Sequence, residues 1–211
     1  MNESDLLSLY TERHDTVLEQ ISALLETHIF ELVSDLSRID RISARAKKPD
    51  RFLGKATKKD GDNNPKYSDP INEIQDQIGA RITVFYLRDV NRVKERILQY
   101  FTAIEIQEKK PSRSAEFGYF GEHFILKIPD DVIPEIIPDC GCPKFFELQI
   151  KTLFQHAWSE ADHDLAYKSF RELDELEKRQ IGLSSAQAWG ADQIFADLAN
   201  KLVRDFVENP E

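Results

Sequence analysis

Residues 145–168, FFELQIKTLFQHAWSEADHDLAYK, decide how this chain is read. Phe146, Leu148 and Ile150 alternate with Glu147, Gln149 and Lys151. That period of two predicts a strand with one apolar face and one face bearing an acid, an amide and a base. Polar groups in a packed sheet are costly unless they meet a partner, so the polar face is expected to look onto a ligand. After Thr152 the period becomes helical. Leu153, Ala157, Glu160, Asp164 and Lys168 fall along one side, and Phe154, Trp158, Ala161 and Leu165 along another. His156, Glu160 and His163 then share a face. A polar-faced strand feeding such a helix suits a phosphate or metal site.

Working outward, three more strands are predicted, over residues 82–87, 104–110 and 123–128, with 145–151 as the fourth. Between the first two, Asp89 is expected to cap a helix buried through Val90, Val93, Ile97 and Tyr100/Phe101. A short helix precedes them, with Asp69 at its N-cap, Pro70 at its first position, Ile71, Ile74 and Ile78 buried, and Gly79 ending it. Residues 4–39 read as helix, with a break near His14–Asp15 and His28 packed on the apolar stripe. Pro49 interrupts the basic segment that follows, and Phe52 and Leu53 anchor a restart that makes Arg51 and Lys55 neighbours. Beyond Lys168, RELDELEKRQ is a solvated stretch, and Leu183, Ala186, Ile194, Leu198, Leu202 and Phe206 form a packing stripe. No linker divides the chain. One domain over 1–211 is expected, with its core at about 42–168, a helical N-terminal extension (4–39) and a helical tail (171–207).

The composition fits a globular protein: 211 residues, 41% hydrophobic and 31% charged. The start lacks a basic, apolar leader and no window approaches a membrane span, so a cytoplasmic protein with no membrane partner is expected. Cys140 and Cys142 are too close for an easy disulfide and read as reduced thiols. The net charge of −10 argues against general binding of polyanions. Between Arg41 and Lys66, however, nine bases stand against three acids, which points to a local anionic ligand.

Asp76 and Glu147, on separate sheet-associated segments near these bases, suggest Mg²⁺ and a polyphosphate, because magnesium favours one or two carboxylates plus substrate phosphates. Taken alone, Asp76 reads better as a surface acid of its short helix. Arg45, Lys47, Arg51 and Lys55 form a cluster suited to gripping phosphate. Tyr119, between Gly118 and Phe120, is placed to stack a base or simply to close its loop. There is no glycine-rich phosphate loop. His163–Asp164 with His156 offers a metal phosphohydrolase reading, but His14, His28 and His123 are not arranged to complete it.

These motifs, in this order, resemble the RelA/SpoT-type synthetases, the alarmone pyrophosphokinases. ARAKKPDRFLGK is similar to the family's basic signature (Arg45, Lys47, Arg51, Lys55). DQIGARI is similar to D-x-x-G-x-R-I (Asp76, Gly79, Arg81), and FGYFGEH to G-Y-x-S-x-H (Gly118, Tyr119, His123). FELQIKT matches E-x-Q-I-[RK]-T (Glu147, Gln149, Lys151), and HAWSEADHDLAYK ends as H-x-x-x-Y-K (His163, Tyr167, Lys168). The resemblance implies an α+β fold, a mixed sheet flanked by helices and similar to nucleotidyltransferases. It implies transfer of the β,γ-diphosphate of ATP to the ribose 3′-hydroxyl of GTP or GDP, giving (p)ppGpp. Carried over, Asp76 and Glu147 hold Mg²⁺, with Glu147 also taking the hydroxyl proton. Arg45 lies on the adenine, Lys47, Lys55 and Arg81 hold ATP phosphates, and Tyr119 stacks on the acceptor base. Gln149, Arg51, His123, Lys151, His163 and Lys168 complete the set. Phe120–Gly121 replaces the family's Arg-Ser, which leaves acceptor identity open. A toxin-type member that modifies the 3′ end of tRNA, with an antitoxin partner, is one alternative. A member that makes adenosine alarmones is another, and an inactive nucleotide-binding module a third. Assembly into a homo-oligomer is left open.

Overall fold

The computed structural model of the protein describes residues 2–109, 117–118, 121–134, 141–167 and 169–203. Of the expected site residues, Tyr119 and Lys168 lie outside these, as does Phe206 of the expected stripe.

The chain opens with helix α1 (Glu3–Arg13), whose first turn is capped by Asn2 Oδ1 accepting from Asp5 N at 2.8 Å. A π-helical turn (His14–Leu18) joins it to α2 (Glu19–Val33). The break expected near His14–Asp15 is therefore a widening of one continuous helix. The helix ends at Val33, short of the expected 39, because Ile39 opens a strand.

That strand, β1 (Ile39–Ala46), is a fifth one that the sequence reading did not foresee. α3 (Pro49–Ala56) follows, with Pro49 at its start and Lys48 extended before it (φ −56°, ψ 144°). The expected helix over 70–78 shrinks to α4 (Pro70–Glu73). Asp69 occupies the N-cap without capping a backbone N–H: its Oδ2 accepts from the Asn72 side chain at 2.7 Å, and Glu73 accepts from Ser68 N and Asp69 N. Ile71, Ile74 and Ile78 are buried as expected, but Ile78 and Gly79 already belong to β2 (Ile78–Val84). Asp76 sits in the turn between α4 and β2, not on a helix.

α5 (Leu87–Tyr100) begins two residues before Asp89, which serves in its first turn: Asp89 accepts from Tyr86 N and pairs with Arg38 at 3.2 Å. β3 (Ala103–Lys109), β4 (Gly121–Lys127) and β5 (Phe145–Thr152) come next, then α6 (Leu153–Asp162), a π-helical turn (His163–Tyr167) and α7 (Glu175–Leu202).

The sheet order is β1-β2-β5-β4-β3. β2 and β5 run parallel and every other pair is antiparallel, so the sheet is mixed and β5 is its centre. One face is apolar. Ala46, Ala80, Ile82, Phe124, Leu126, Phe146, Leu148 and Ile150 are all buried, packed with residues from α2 and α5 such as Leu25, Ile29, Val93 and Ile97. Phe101 meets Phe146 edge-on at 5.5 Å. Each Phe, Leu, Ile or Val among these contributes about 1.5–3 kcal/mol when buried. The opposite face is polar, and strand register builds rows across it. Ser43, Arg81, Gln149, His123 and Gln107 are consecutive partners in one row, and Arg45, Gly79, Glu147 and Ile125 in the next.

α7 packs on α6 with a face opposite to the expected one. Ser185, Asp192 and Ala199 are buried, while Leu183, Ile194, Leu198 and Leu202 are exposed. The buried polar groups bond inward: Ser185 Oγ donates to Gly118 O at 2.7 Å, and Asp192 Oδ2 accepts from Thr152 Oγ1 at 2.8 Å. Among the described residues no helix is long and apolar enough to cross a membrane.

Candidate active site

The site starts from a backbone knot beside β1. Lys47 N donates to Gln77 O at 2.8 Å, and Gln77 Nε2 donates to Ile71 O and Ile74 O at 2.7 and 2.8 Å. The turn carrying Asp76 is thereby locked to the end of β1. α1 ties down the same region, with Tyr10 donating to Lys47 O at 2.8 Å and stacked on Phe52 at 3.6 Å.

Lys47 precedes α3 and Lys55 lies in its last turn. Both Nζ atoms reach Asp76 Oδ2 at 2.9 Å. Burial pushes the Asp76 carboxyl up, but Lys47 and then Lys55 pull it down, and it ends below the ordinary carboxylate range. Its second oxygen, Oδ1, is buried with no hydrogen-bond partner.

Glu147, in the middle of β5, shares a cavity with Asp76. Lys55, Tyr67, Gln75, Asp76, His123 and Glu147 are among its lining residues, and its volume is about 300 Å³. Glu147 Oε1 is hydrogen-bonded to His123 Nδ1 at 2.5 Å. Burial raises the Glu147 carboxyl, His123 lowers it, and the balance falls below the ordinary value despite repulsion from Asp76. Two ionised carboxylates therefore face one space, one of them with a buried oxygen that nothing satisfies. An unsatisfied buried anion is costly, and a divalent cation is the group this donor set fits. Among the described residues no cluster of three or more His, Cys, Asp or Glu could hold a metal by itself.

One step along the polar face, Arg81 Nη1 donates to Glu160 Oε1 at 2.6 Å and lies 3.0 Å from His156 Nδ1. Its Nη2 is 3.5 Å from Gln149 Oε1. Lys151, on the same face of β5, is buried and donates to Ser159 Oγ at 3.1 Å. Burial first, and Arg81 second, bring its ammonium down to about 7.

The structure thus brings together Lys47, Lys55, Asp76, His123 and Glu147, with Arg81, Gln149 and Lys151 beside them. Arg45 is exposed on β1 in register with Gly79. Arg51 is exposed on α3, 3.8 Å from Asp50, and does not join the two lysines. His163 is exposed in the π-helical turn, apart from His156 and Glu160 in their contact with Arg81. Sequence reasoning did not single out Tyr67 or Gln75 as lining residues. Nor did it connect His156 and Glu160 to Arg81, although their shared helical face was visible.

A family model described as "Region found in RelA / SpoT proteins" matches residues 44–172. GTP pyrophosphokinase YjbM of Bacillus subtilis is 26% identical over 179 residues, which is 82% of this chain and 78% of that protein. Among solved structures, a GTP pyrophosphokinase family protein from Streptococcus pneumoniae superposes with a TM-score of 0.73 at 19% identity, covering 95% of this chain and 98% of that one. Small alarmone synthetase 1 from Bacillus subtilis, bound to its product pppGpp, gives 0.68 at 23% identity, covering 92% and 96%. The matched region runs from β1 through the end of the strand-to-helix stretch on which the site is built, and on that match the chain belongs to the RelA/SpoT family.

Proposed function

We propose that this protein is an ATP-dependent pyrophosphokinase that makes (p)ppGpp from GTP or GDP. The 3′-oxygen of the acceptor attacks the β-phosphorus of ATP, the bond from that phosphorus to the α-phosphate oxygen breaks, AMP leaves, and the acceptor gains a 3′-diphosphate. The observation that carries this reading is the Asp76–Glu147 cavity, with the unsatisfied Asp76 Oδ1 and the flanking Lys47 and Lys55. Transfer of this kind depends on positioning and charge neutralisation and needs no covalent intermediate.

Asp76 and Glu147 are the residues that would hold Mg²⁺, which when bound supplies Lewis-acid stabilisation of the phosphate charge. Lys47 and Lys55, together on one carboxylate oxygen, exchange that contact for ATP phosphates. Arg81 adds a third cation, and Arg45, exposed on β1, covers the adenine. Glu147 takes the proton of the acceptor hydroxyl, and His123, bonded to it, gives that proton an exit. Tyr119 stacks on the guanine. The GTP pyrophosphokinase relative and the pppGpp-bound structural neighbour support guanosine as acceptor.

The test is incubation with γ-labelled ATP and a panel of GDP, GTP, adenosine nucleotides and tRNA. Label on guanosine nucleotides without RNA is the expected result. Label on tRNA alone, lost steeply with added salt, would remove the acceptor assignment and leave diphosphate transfer standing.

A further inference from the structure

Arg81 is held from one side only. Glu160 Oε1 and His156 Nδ1 both engage Nη1, while Nη2 has only the long approach to Gln149, and Nε is buried with no partner. A guanidinium can only donate, so His156 Nδ1 is the acceptor and its ring proton sits on Nε2. His156 is thus a neutral imidazole here. Its basicity is lowered by burial first and then by Arg81. His156 and Glu160 are four residues apart on α6 and present one face to β2. Between them Ser159 donates to His156 O at 3.0 Å and receives Lys151. His156, Ser159 and Glu160 of α6 therefore hold Arg81 and Lys151.

Arg81 and Lys151 are like charges on the central parallel strands β2 and β5, and left alone they would turn away from each other. Glu160 supplies the opposite charge that keeps Arg81 in place, and His156 fixes the plane of the fork. We propose that Glu160 and His156 are positioning residues for Arg81, holding Nη1 so that Nη2, 3.5 Å from Gln149 Oε1, turns to the ATP phosphates next to Glu147. The opposite role, in which Glu160 masks Arg81 and competes with phosphate, predicts the reverse kinetics. This proposal rests on the phosphate-holding role given to Arg81 above.

The experiment is a double-mutant cycle on the full chain, read as kcat and KM for ATP. Arg81→Gln should lower kcat/KM strongly, and Arg81→Lys replaces it if that variant does not fold. Glu160→Gln should lower kcat/KM by about 10-fold or more, with Glu160→Asp partly rescuing it. In the Arg81→Gln background, Glu160→Gln should add less than a further twofold loss, because its route of action is gone. His156→Ala should follow the same non-additive pattern. A packing role alone would lower the thermal midpoint and cost the same in both backgrounds, which would overturn the proposal. So would an improved ATP KM in Glu160→Gln. If Arg81→Gln and Arg81→Lys are both as active as wild type, the phosphate role of Arg81 falls and this proposal with it. If the Arg81 variant is impaired while Glu160→Gln is wild-type-like, only this proposal falls.

Discussion

Asp76→Asn separates a chemical role from a tethering role at the centre of the site. In the native protein Lys47 Nζ and Lys55 Nζ each lie 2.9 Å from Asp76 Oδ2, so the two ammoniums are at most about 5.8 Å apart, twice that bond. At an effective dielectric of about 20, their repulsion at that separation is about 3 kcal/mol. The carboxylate offsets it and an amide does not. Both lysines keep part of their surface in water, so in the variant they swing outward and the cost to stability stays near 1–3 kcal/mol, a thermal shift of several degrees. The lysines remain present for ATP phosphates, and the KM for ATP should change little. The lost oxygen charge, in contrast, removes one of two carboxylates for the metal. A loss of about 3 kcal/mol or more in transition-state stabilisation corresponds to a fall in kcat of at least about 100-fold. Steady-state transfer from γ-labelled ATP, with the acceptor saturating and Mg²⁺ titrated, reads both constants. A raised KM with kcat intact would show that Asp76 only restrains the two lysines, and the metal assignment would fail.

Glu147→Gln should likewise abolish transfer while holding the unfolding midpoint within a few degrees, and turnover near wild type would refute its place as base and metal ligand. Lys47→Ala and Lys55→Ala should each raise the KM for ATP or lower kcat. Arg171→Ala, which breaks an exposed pair with Glu177, should do neither, and equal losses in all three would mean that bulk charge alone is being measured. Asp192→Asn should stabilise the protein in a pH-dependent way. Burial raises the Asp192 carboxyl from 3.8 to about 6 against the opposing Thr152 hydrogen bond, so the native state loses stability as pH climbs through that window. Denaturant unfolding should find the variant more stable by up to about 3 kcal/mol at pH 7 and equal at pH 3.5; a gap that does not change with pH would contradict this.

The strand-to-helix switch at Thr152 was legible because its two periods are carried by large side chains. Phe146, Leu148 and Ile150 alternate without interruption, and Thr152 then caps α6 by accepting from Gln155 N at 3.1 Å. Strand β1 carries the same alternation, Ile42, Ala44 and Ala46 inward against Arg41, Ser43 and Arg45 outward. Two of its three inward residues are alanines, which favour strands weakly, and its outward arginines register as charge more strongly than as one face of a strand. Asp76 lies off the expected helix for a related reason. Pro70 and the spacing of Ile71, Ile74 and Ile78 fit a helix, but Gln77 spends its side chain on Ile71 O and Ile74 O. That bond closes a turn, ends the helix early and aims Asp76 at the lysines. A side-chain-to-backbone hydrogen bond of this kind leaves no mark on periodicity.

The α7 helix shows the limit most clearly. Periodicity reports that an apolar stripe exists but not which face meets the core. Leu183, Ile194, Leu198 and Leu202 make the better stripe, yet the helix turns Ser185, Asp192 and Ala199 inward. What decides it is the set of acceptors and donors that α6 and the 117–118 segment leave for it. Gly118 O needs a donor and takes Ser185 Oγ; Thr152 Oγ1, already capping α6, donates to Asp192. An apolar face there would have left those groups unsatisfied, at about 1–3 kcal/mol each, a cost comparable to the about 1.5–3 kcal/mol gained by fully burying one aliphatic side chain. The helix thus grips both the start of α6, which positions Glu160 and His156 on Arg81, and the residue just before Tyr119. Substitutions on its buried polar face are therefore expected to reach the chemistry through α6, whereas those on its exposed leucines are not.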